Sequence, residues 1–390
     1  MGFQLDVVMN PHPFALSLSK GRRSDVAAGA STGSARTGWE DHGDHAIAMN
    51  AAVPQLVSVI VPCRNERAYI AAFCASVQAQ RLAPGWALEL LIADGHSDDG
   101  TREELQRLAA ADPRIRMLDN PGRIVSCGLN RALEAARGEV VVRMDVHTTY
   151  ADDYVAQCVE ALQRSGAAVV GGPWKAEGTE PWQRAIAAAF QSRWVSGGAR
   201  SRQLDYEGEA DTVYLGAWRR EAFERFGGFD EALVRNQDDE HNLRVTLGGG
   251  RVWQSARIRS VYRPRGSVRA LFRQWLQYGY WKPFVMKKHG QPAALRQLVP
   301  GVFVGGQLLL TLAALLGAPW ALPLAWLGAY GAALGALSLL VAAEGQWALL
   351  PRLPVVIAAH HVGYGIGTLL GWWDVLRHGR GRERFSRLTR

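Results

Sequence analysis

Three groups of carboxylates along this chain have the types and spacing to do chemistry: Asp94 with Asp98 and Asp99, Asp145 with His147, and Asp238 with Asp239 and Glu240. Asp94 opens the turn Asp94-Gly95-His96-Ser97-Asp98-Asp99-Gly100-Thr101, where a carboxylate can accept hydrogen bonds from a nucleobase or a ribose. Asp145-Val146-His147 joins a hard oxygen donor to an imidazole, a set suited to Mg²⁺ or Mn²⁺, with Mn²⁺ the more tolerant of nitrogen. In Asn236-Gln237-Asp238-Asp239-Glu240 the adjacent acids repel one another, which raises the pKa of one and favours a general base. Each group also has an ordinary reading. The first is a plain Asp-Gly turn, the second a strand-end Asp capping a helix, the third a solvated helix N-terminus favoured by the dipole.

Such residues need rigid strand ends to hold them. From residue 56 to about 175 the pattern alternates between strand and helix. Residues 56–61 form a β-branched run typical of a strand buried on both faces. Further strands are expected at 88–93, ending in Asp94, at 115–118, and at 139–144, ending in Asp145. Helices are expected between them at 68–80, 101–110 and 126–136, the second started by acidic and hydroxyl residues and the third stopped at Gly138. This alternation predicts an α/β domain with a mostly parallel sheet. Ligands of such sheets bind beyond the carboxyl ends of the strands, where Asp94 and Asp145 stand.

The chain has 390 residues and a net charge of +8. Its Arg and Lys cluster at 263–296 and again at 377–390, on either side of an apolar region from 298 to 373. Basic flanks around apolar segments suit anionic headgroups and argue against a nucleic-acid partner. The apolar region divides into 298–317, 322–343 and 353–373, each near the roughly 20 residues needed to cross a bilayer. Three crossings would place the Arg-rich tail opposite the basic 263–296 stretch, against the positive-inside bias. A re-entrant third segment or a fourth crossing each resolves this, and both stay open. His360 and His361 in the third segment read either as a proton-relay or metal pair or as neutral histidines facing other helices. Cys63, Cys74, Cys127 and Cys158 lack metal-like spacing and read as thiols in a reducing compartment. Residues 1–48 show no sustained periodicity; they read as a disordered tail or a mis-assigned start, with translation beginning at Met49.

The order of these segments resembles the GT-A, Rossmann-like fold of family 2 inverting glycosyltransferases. Val59-Ile60-Val61-Pro62 with Asn65-Glu66 resembles the first-strand motif that embraces the nucleotide. Asp94, Ser97, Asp99, Gly100 and Thr101 resemble the second-strand acidic motif, with Gly95 where the family often has an acid. Asn130 and Ala136-Arg137-Gly138-Glu139 resemble the approach to the metal motif, and Asp145-Val146-His147 stands in place of D-x-D. Gly216-Ala217-Trp218-Arg219-Arg220 with Gly227-Gly228-Phe229-Asp230 resembles the acceptor-side loop and the turn before the base. Asp238 matches the Asp of the family's E-D pair, with Gln237 for Glu and Asp239 as internal competitor. Gln274-Trp275-Leu276-Gln277-Tyr278 falls where processive members carry Q-x-x-R-W and also reads as an amphipathic helix with Trp275, Tyr278, Tyr280 and Trp281 at headgroup level.

The resemblance, including the stretches RMDVH and YGYWK, is to succinoglycan-type exopolysaccharide glycosyltransferases. It implies a catalytic domain over 49–262, an interfacial segment over 263–297, a transmembrane region over 298–373 and a basic tail over 374–390. It implies Asp238 as base and Mg²⁺ or Mn²⁺ on Asp145 and His147. It also implies Pro62, Asn65, Glu66, Asp94, Asp99, Asn130, Asp145, Gly216, Asp239, Gln274 and Gln277 at the substrates. The implied activity is transfer from a nucleoside-diphosphate sugar, a UDP-sugar, to a polyprenyl-linked glycan. The implied place is the cytoplasmic face of a bacterial inner membrane, among membrane lipids and other glycan-assembly proteins. A processive polysaccharide synthase and a non-catalytic sugar-nucleotide-binding membrane scaffold are the alternatives.

Overall fold

A strand whose residues alternate between two apolar layers anchors the domain. In the computed structural model, which describes residues 55–379, 381 and 385, β1 (Gln55–Cys63) sends Val57, Val59 and Val61 into one core and Ile60 into the other. The helices that cover the two faces follow as the apolar periodicity predicts. α1 (Ile70–Gln78), β2 (Trp86–Asp94), α2 (Thr101–Ala111), β3 (Ile115–Asp119), α3 (Val125–Ala135) and β4 (Val140–Arg143) lie within a few residues of their expected positions. Then come β5 (Thr148–Tyr150), α4 (Tyr154–Ser165), β6 (Val169–Gly172), β7 (Lys175–Ala176), α5 (Pro181–Gln191), β8 (Gly208–Glu209) and β9 (Tyr214–Arg219). α6 (Arg220–Phe226), α7 (Gln237–Leu247), β10 (Val252–Gln254) and β11 (Ser260–Tyr262) complete the α/β part.

The main sheet has eight strands in the order β3-β2-β1-β4-β9-β6-β10-β8, and β5, β11 and β7 form a second sheet. β3, β2, β1 and β4 run parallel, as expected. β9 departs from the expectation: it runs antiparallel to both β4 and β6, so the sheet is mixed. The residues read as an acceptor-side loop at 216–220 therefore form most of a central strand and the start of α6, with Trp218 inside the core. Gly216, at φ +106°, supplies the irregular backbone where β9 meets the site.

After the sheet come α8 (Val268–His289), α9 (Val299–Leu315), α10 (Ala321–Val341) and α11 (Leu353–His378). Among the described residues, three helices are long and apolar enough to cross a membrane: 295–315, 321–349 and 353–378. They are not equivalent. Only 17% and 11% of the first two is buried, against 44% of the third. α9 and α10 expose Leu308, Leu309, Leu312, Leu322 and Leu324. α11 lies parallel to α8, where Gly363, Gly367 and Gly371 meet the backbone of Phe272, Leu276 and Tyr280. Trp275, Tyr280 and Trp281, read from sequence as headgroup aromatics, are instead buried. Tyr280 donates to Asp374 of α11 at 2.8 Å, and Trp275 packs beside Tyr364. The expectations for 1–48, and for most of the tail beyond Gly379, fall outside the described residues.

Candidate active site

The loops at the carboxyl ends of β1 and β2 are laced together. Asn65, at φ +56°, accepts a hydrogen bond at Oδ1 from the Asp98 amide at 3.0 Å and donates its own backbone amide to Ser97 Oγ at 2.8 Å. The Glu66 amide donates to Thr101 Oγ1 at 2.7 Å, and the Arg67 amide to Asp99 at 3.2 Å. Asp94 is fully buried and accepts from Ser97 Oγ at 2.6 Å and Arg102 Nη1 at 2.9 Å. Asp94 and Asp99 thus hold the turn. Glu66 reaches forward, 3.1 Å from Nδ1 of His147.

Beyond these loops lies a cavity of about 1630 Å³, and at its centre three charged groups converge. Arg143, at the end of β4, pairs with Asp145 at 3.2 and 3.3 Å and places Nη1 3.9 Å from Asp238. That Nη1 is buried and has no hydrogen-bond partner. Asp238 and Asp239 open α7, and the environment sorts the acids of this helix. Burial, then the neighbouring Asp239 charge, push the Asp238 carboxyl above the usual aspartate range. Burial works against ionisation of Asp239 too, but Lys282 of α8 is bonded to it and holds it below that range. Glu240 is fully buried away from the cavity, and Arg244, at 2.6 and 3.1 Å, with Lys288 outweighs that burial and brings it down to about 2. A carboxylate poised to take a proton is therefore Asp238, a third of whose side chain reaches solvent space.

The cavity collects Pro62, Glu66, Asp145, His147, Asp238, Asp239 and Gln274 of the residues singled out in the sequence. Asn65, Asp94, Asp99, Asn130, Gly216 and Gln277 lie outside its lining. Asn130 clamps the Gly228-Phe229 turn, donating to Phe229 O and accepting from Phe229 N at 2.8 Å each. Gln277 accepts from Arg235 at 3.2 Å, and Gln274 donates to the Tyr262 hydroxyl at 3.2 Å. Two residues the sequence reading gave no role are central. Arg143 sits inside the quoted stretch RMDVH, two positions before Asp145, so its place on the strand was available. Lys282 lies 43 positions from Asp239, and no local spacing joins them.

The donor set fits a divalent cation in part. Asp145 and His147 face one cavity, and the Glu66 contact at Nδ1 orients the imidazole as such ligands need. Among the described residues no group of three or more His, Cys, Asp or Glu side chains is gathered for a metal. A cation there would complete its shell with phosphate oxygens and water, as Mg²⁺ and Mn²⁺ do at nucleotide sites.

Residues 58–227 match the sequence profile described as Glycosyl transferase family 2. The chain is similar to the succinoglycan biosynthesis protein ExoA of Rhizobium meliloti (strain 1021), at 36% identity over 244 residues, 62% of this chain and 73% of that one. It is also similar to a dolichyl N-acetyl-alpha-D-glucosaminyl phosphate 3-beta-D-2,3-diacetamido-2,3-dideoxy-beta-D-glucuronosyltransferase of Methanococcus voltae. That match is 26% identical over 240 residues, 60% of this chain and 74% of the relative. Among solved structures, the mannosyltransferase PcManGT from Pyrobaculum calidifontis, in complex with GDP-Man and Mn²⁺, superposes with a TM-score of 0.52 at 22% identity. It covers 83% of this chain and 89% of its own, a likeness of fold.

Proposed function

The chain belongs to glycosyl transferase family 2 and is a glycosyltransferase of polysaccharide or glycan synthesis; on that premise we propose that it moves one sugar, with inversion, from a UDP-sugar to a lipid-linked oligosaccharide. The observation that carries this reading is the convergence of Asp145, Arg143 and Asp238 on one cavity, with Asp238 biased toward taking a proton.

The donor's nucleotide lies over the ends of β1 and β2, against Pro62, Arg64 and Arg123. Arg143 offers its Nη1, which makes no hydrogen bond, to the diphosphate. Asp145 and His147 would hold a divalent cation, which neutralises charge on that leaving group. Asp238 takes the proton of the acceptor hydroxyl as its oxygen bonds to the anomeric carbon. The bond from that carbon to the diphosphate oxygen breaks, and its electron pair leaves with the nucleoside diphosphate. One displacement from the opposite face inverts the anomer.

Three features support a lipid-linked acceptor. The cavity runs on from Asp238 to apolar residues of α9 and α10, including Val302, Phe303 and Leu337. The Methanococcus voltae relative is named for a dolichyl-phosphate-linked acceptor. Exposed apolar faces on α9 and α10 suit the interior of a bilayer. In this reading the α9–α10 hairpin enters the cytoplasmic membrane of a bacterium, and the catalytic domain works on its cytoplasmic face.

The test is label transfer by isolated membranes given a panel of UDP- and GDP-sugars with Mg²⁺ or Mn²⁺ and native lipid extract. Label should enter the lipid fraction with the wild type and fall by about 10²- to 10⁴-fold in Asp238→Asn, the usual contribution of a general base. Full turnover by Asp238→Asn overturns the base assignment. Tight sugar-nucleotide binding with no transfer by the wild type favours the scaffold alternative.

A further inference from the structure

On the far side of Asp239 the cavity wall holds a cation with no counter-charge. Arg202 lies in the short helical turn Arg200–Arg202 between α5 and β8. Its guanidinium stacks on Trp174 at 3.7 Å and reaches Phe190 at 5.1 Å. Its Nη1 is buried and makes no hydrogen bond, and among the described residues no carboxylate lies within ion-pair distance of it. Burial pulls the group's pKa down to about 9, with only distant acids and phenols opposing. The charge is thus retained at neutral pH while its partner is missing, an arrangement costly to fold unless a ligand supplies the anion.

The surroundings say what kind of ligand. Five more buried polar atoms on this wall lack partners: Trp174 Nε1, Gln274 Oε1, Trp275 Nε1, His360 Nδ1 and the Tyr364 hydroxyl. All line the same cavity as Arg202 and are set among aromatic faces. The indole and phenol groups can donate to a phosphate or a sugar oxygen, and Gln274 Oε1 can accept from a sugar hydroxyl, so the wall suits a hydroxyl-rich group carrying a phosphate. From there the lining turns apolar, through Val299, Val302 and Phe303 of α9 to Leu337 of α10. The wall therefore passes from cationic, through polar and aromatic, to greasy. A free nucleotide or an inorganic anion uses only the first part. A phosphate ester of a long isoprenoid uses all of it.

We propose that Arg202, backed by Trp174, anchors the phosphate or diphosphate that joins the acceptor saccharide to its lipid, with the lipid chain laid along α9 and α10. This rests on the reading of the acceptor as lipid-linked and locates where its anionic group binds. The anchor sets the distance between the lipid phosphate and Asp238, and so selects which sugar of the acceptor reaches the base.

Binding by the full chain in detergent tests this, with geranylgeranyl diphosphate, geranylgeraniol, pyrophosphate and UDP as separate probes. The wild type should bind the lipid diphosphate at least about 10-fold more tightly than either the alcohol or pyrophosphate, a preference within reach of one charge-assisted contact. Arg202→Gln should lose the preference over the alcohol, Arg202→Lys should keep part of it, and both should bind UDP as the wild type does. Unchanged lipid-diphosphate affinity in Arg202→Gln overturns the anchor. Pyrophosphate binding as tightly as the lipid diphosphate overturns the lipid and leaves a free-anion site. UDP binding in both variants reports an intact fold and donor site, so failure of the anchor is separable from failure of the transferase reading. In transfer assays Arg202→Gln should raise the KM for lipid acceptor about 10-fold and leave the KM for donor in place.

Discussion

Asp238 and Asp239 are neighbours in sequence whose surroundings drive protonation in opposite directions. The difference is Lys282, bonded to Asp239 and farther from Asp238. Two consequences for pH follow with opposite signs. A base must be unprotonated to work, and the Asp238 carboxyl titrates above the ordinary aspartate range, so kcat/KM should rise with pH through that raised value. Lys282→Met removes a positive charge that lowers both carboxyls, so the acid limb should move to higher pH. Asp239→Asn removes the negative charge that raises Asp238, so its limb should move to lower pH. A shift of one pH unit corresponds to about 1.4 kcal/mol between the protonation states. Rate profiles of the three proteins give the answer. Limbs that move together, or stay fixed, would mean that another group titrates. The strand-end carboxylates were legible at this scale because hydrophobic patterning places strand ends and an Asp there has few other uses. The turn contacts of Asp94 and Asn130 were not. An acid in a turn has the same sequence whether or not it also closes its own loop, and the contacts to Ser97, Arg102 and Phe229 come only from the fold.

The elements were read best where one period ran uninterrupted, from β1 to β4. β9 escaped because Tyr214–Arg219 carries Gly216 at a backbone angle no ordinary strand adopts, and its antiparallel partners lie far away in sequence. The glycines of α11 serve its packing on α8. Gly363, Gly367 and Gly371 recur every four residues on the face against α8, and a Cβ at Gly367 would collide with the Leu276 carbonyl oxygen. Small residues at this spacing let two helix backbones approach closely. Gly367→Leu should force α8 and α11 apart and cost at least about 1–3 kcal/mol, the usual range for overpacking. Because α8 carries Lys282, the change should also reduce transfer. Gly328→Leu on α10, where a Cβ meets nothing within 4 Å, is the control. Thermal unfolding in detergent should show a lower midpoint for the first variant only. Equal midpoints would mean that the seam is not tightly packed.

The arrangement of the whole chain bears on how it sits in a membrane. α11 has 26 residues and so is about 39 Å long, enough to cross a hydrocarbon core of about 30 Å. A crossing helix puts its two ends on opposite sides. Both ends of α11 instead rest on the catalytic domain or on the helix tied to it. At the start, Leu353, Val356 and Ile357 pack with Ala185, Ile186 and Phe190 of α5. At the other end, Asp374 accepts from Tyr280, and Phe385 stacks on the same ring at 4.0 Å. α8 is in turn tied to α7 by Lys282 and by His289, 2.9 Å from Glu240. A single domain cannot lie on both sides of a bilayer, so in the proposed reading only the α9–α10 hairpin enters it. The chain then returns to the side it left. This also removes the conflict with the positive-inside bias, because the basic stretches before α9 and after α11 fall on one side. Thiol labelling checks the geometry, with single cysteines placed at Glu103 in the catalytic domain and at Arg377 near the end of α11, both exposed. The native Cys63, Cys74 and Cys158 are buried and give little background, and the half-buried Cys127 is replaced by Ser in both variants. An impermeant maleimide added to intact cells should reach neither new cysteine, and after permeabilisation it should label both. Labelling of the residue 377 cysteine alone in intact cells would restore α11 as a crossing helix and require the contacts at one of its ends to open in the membrane.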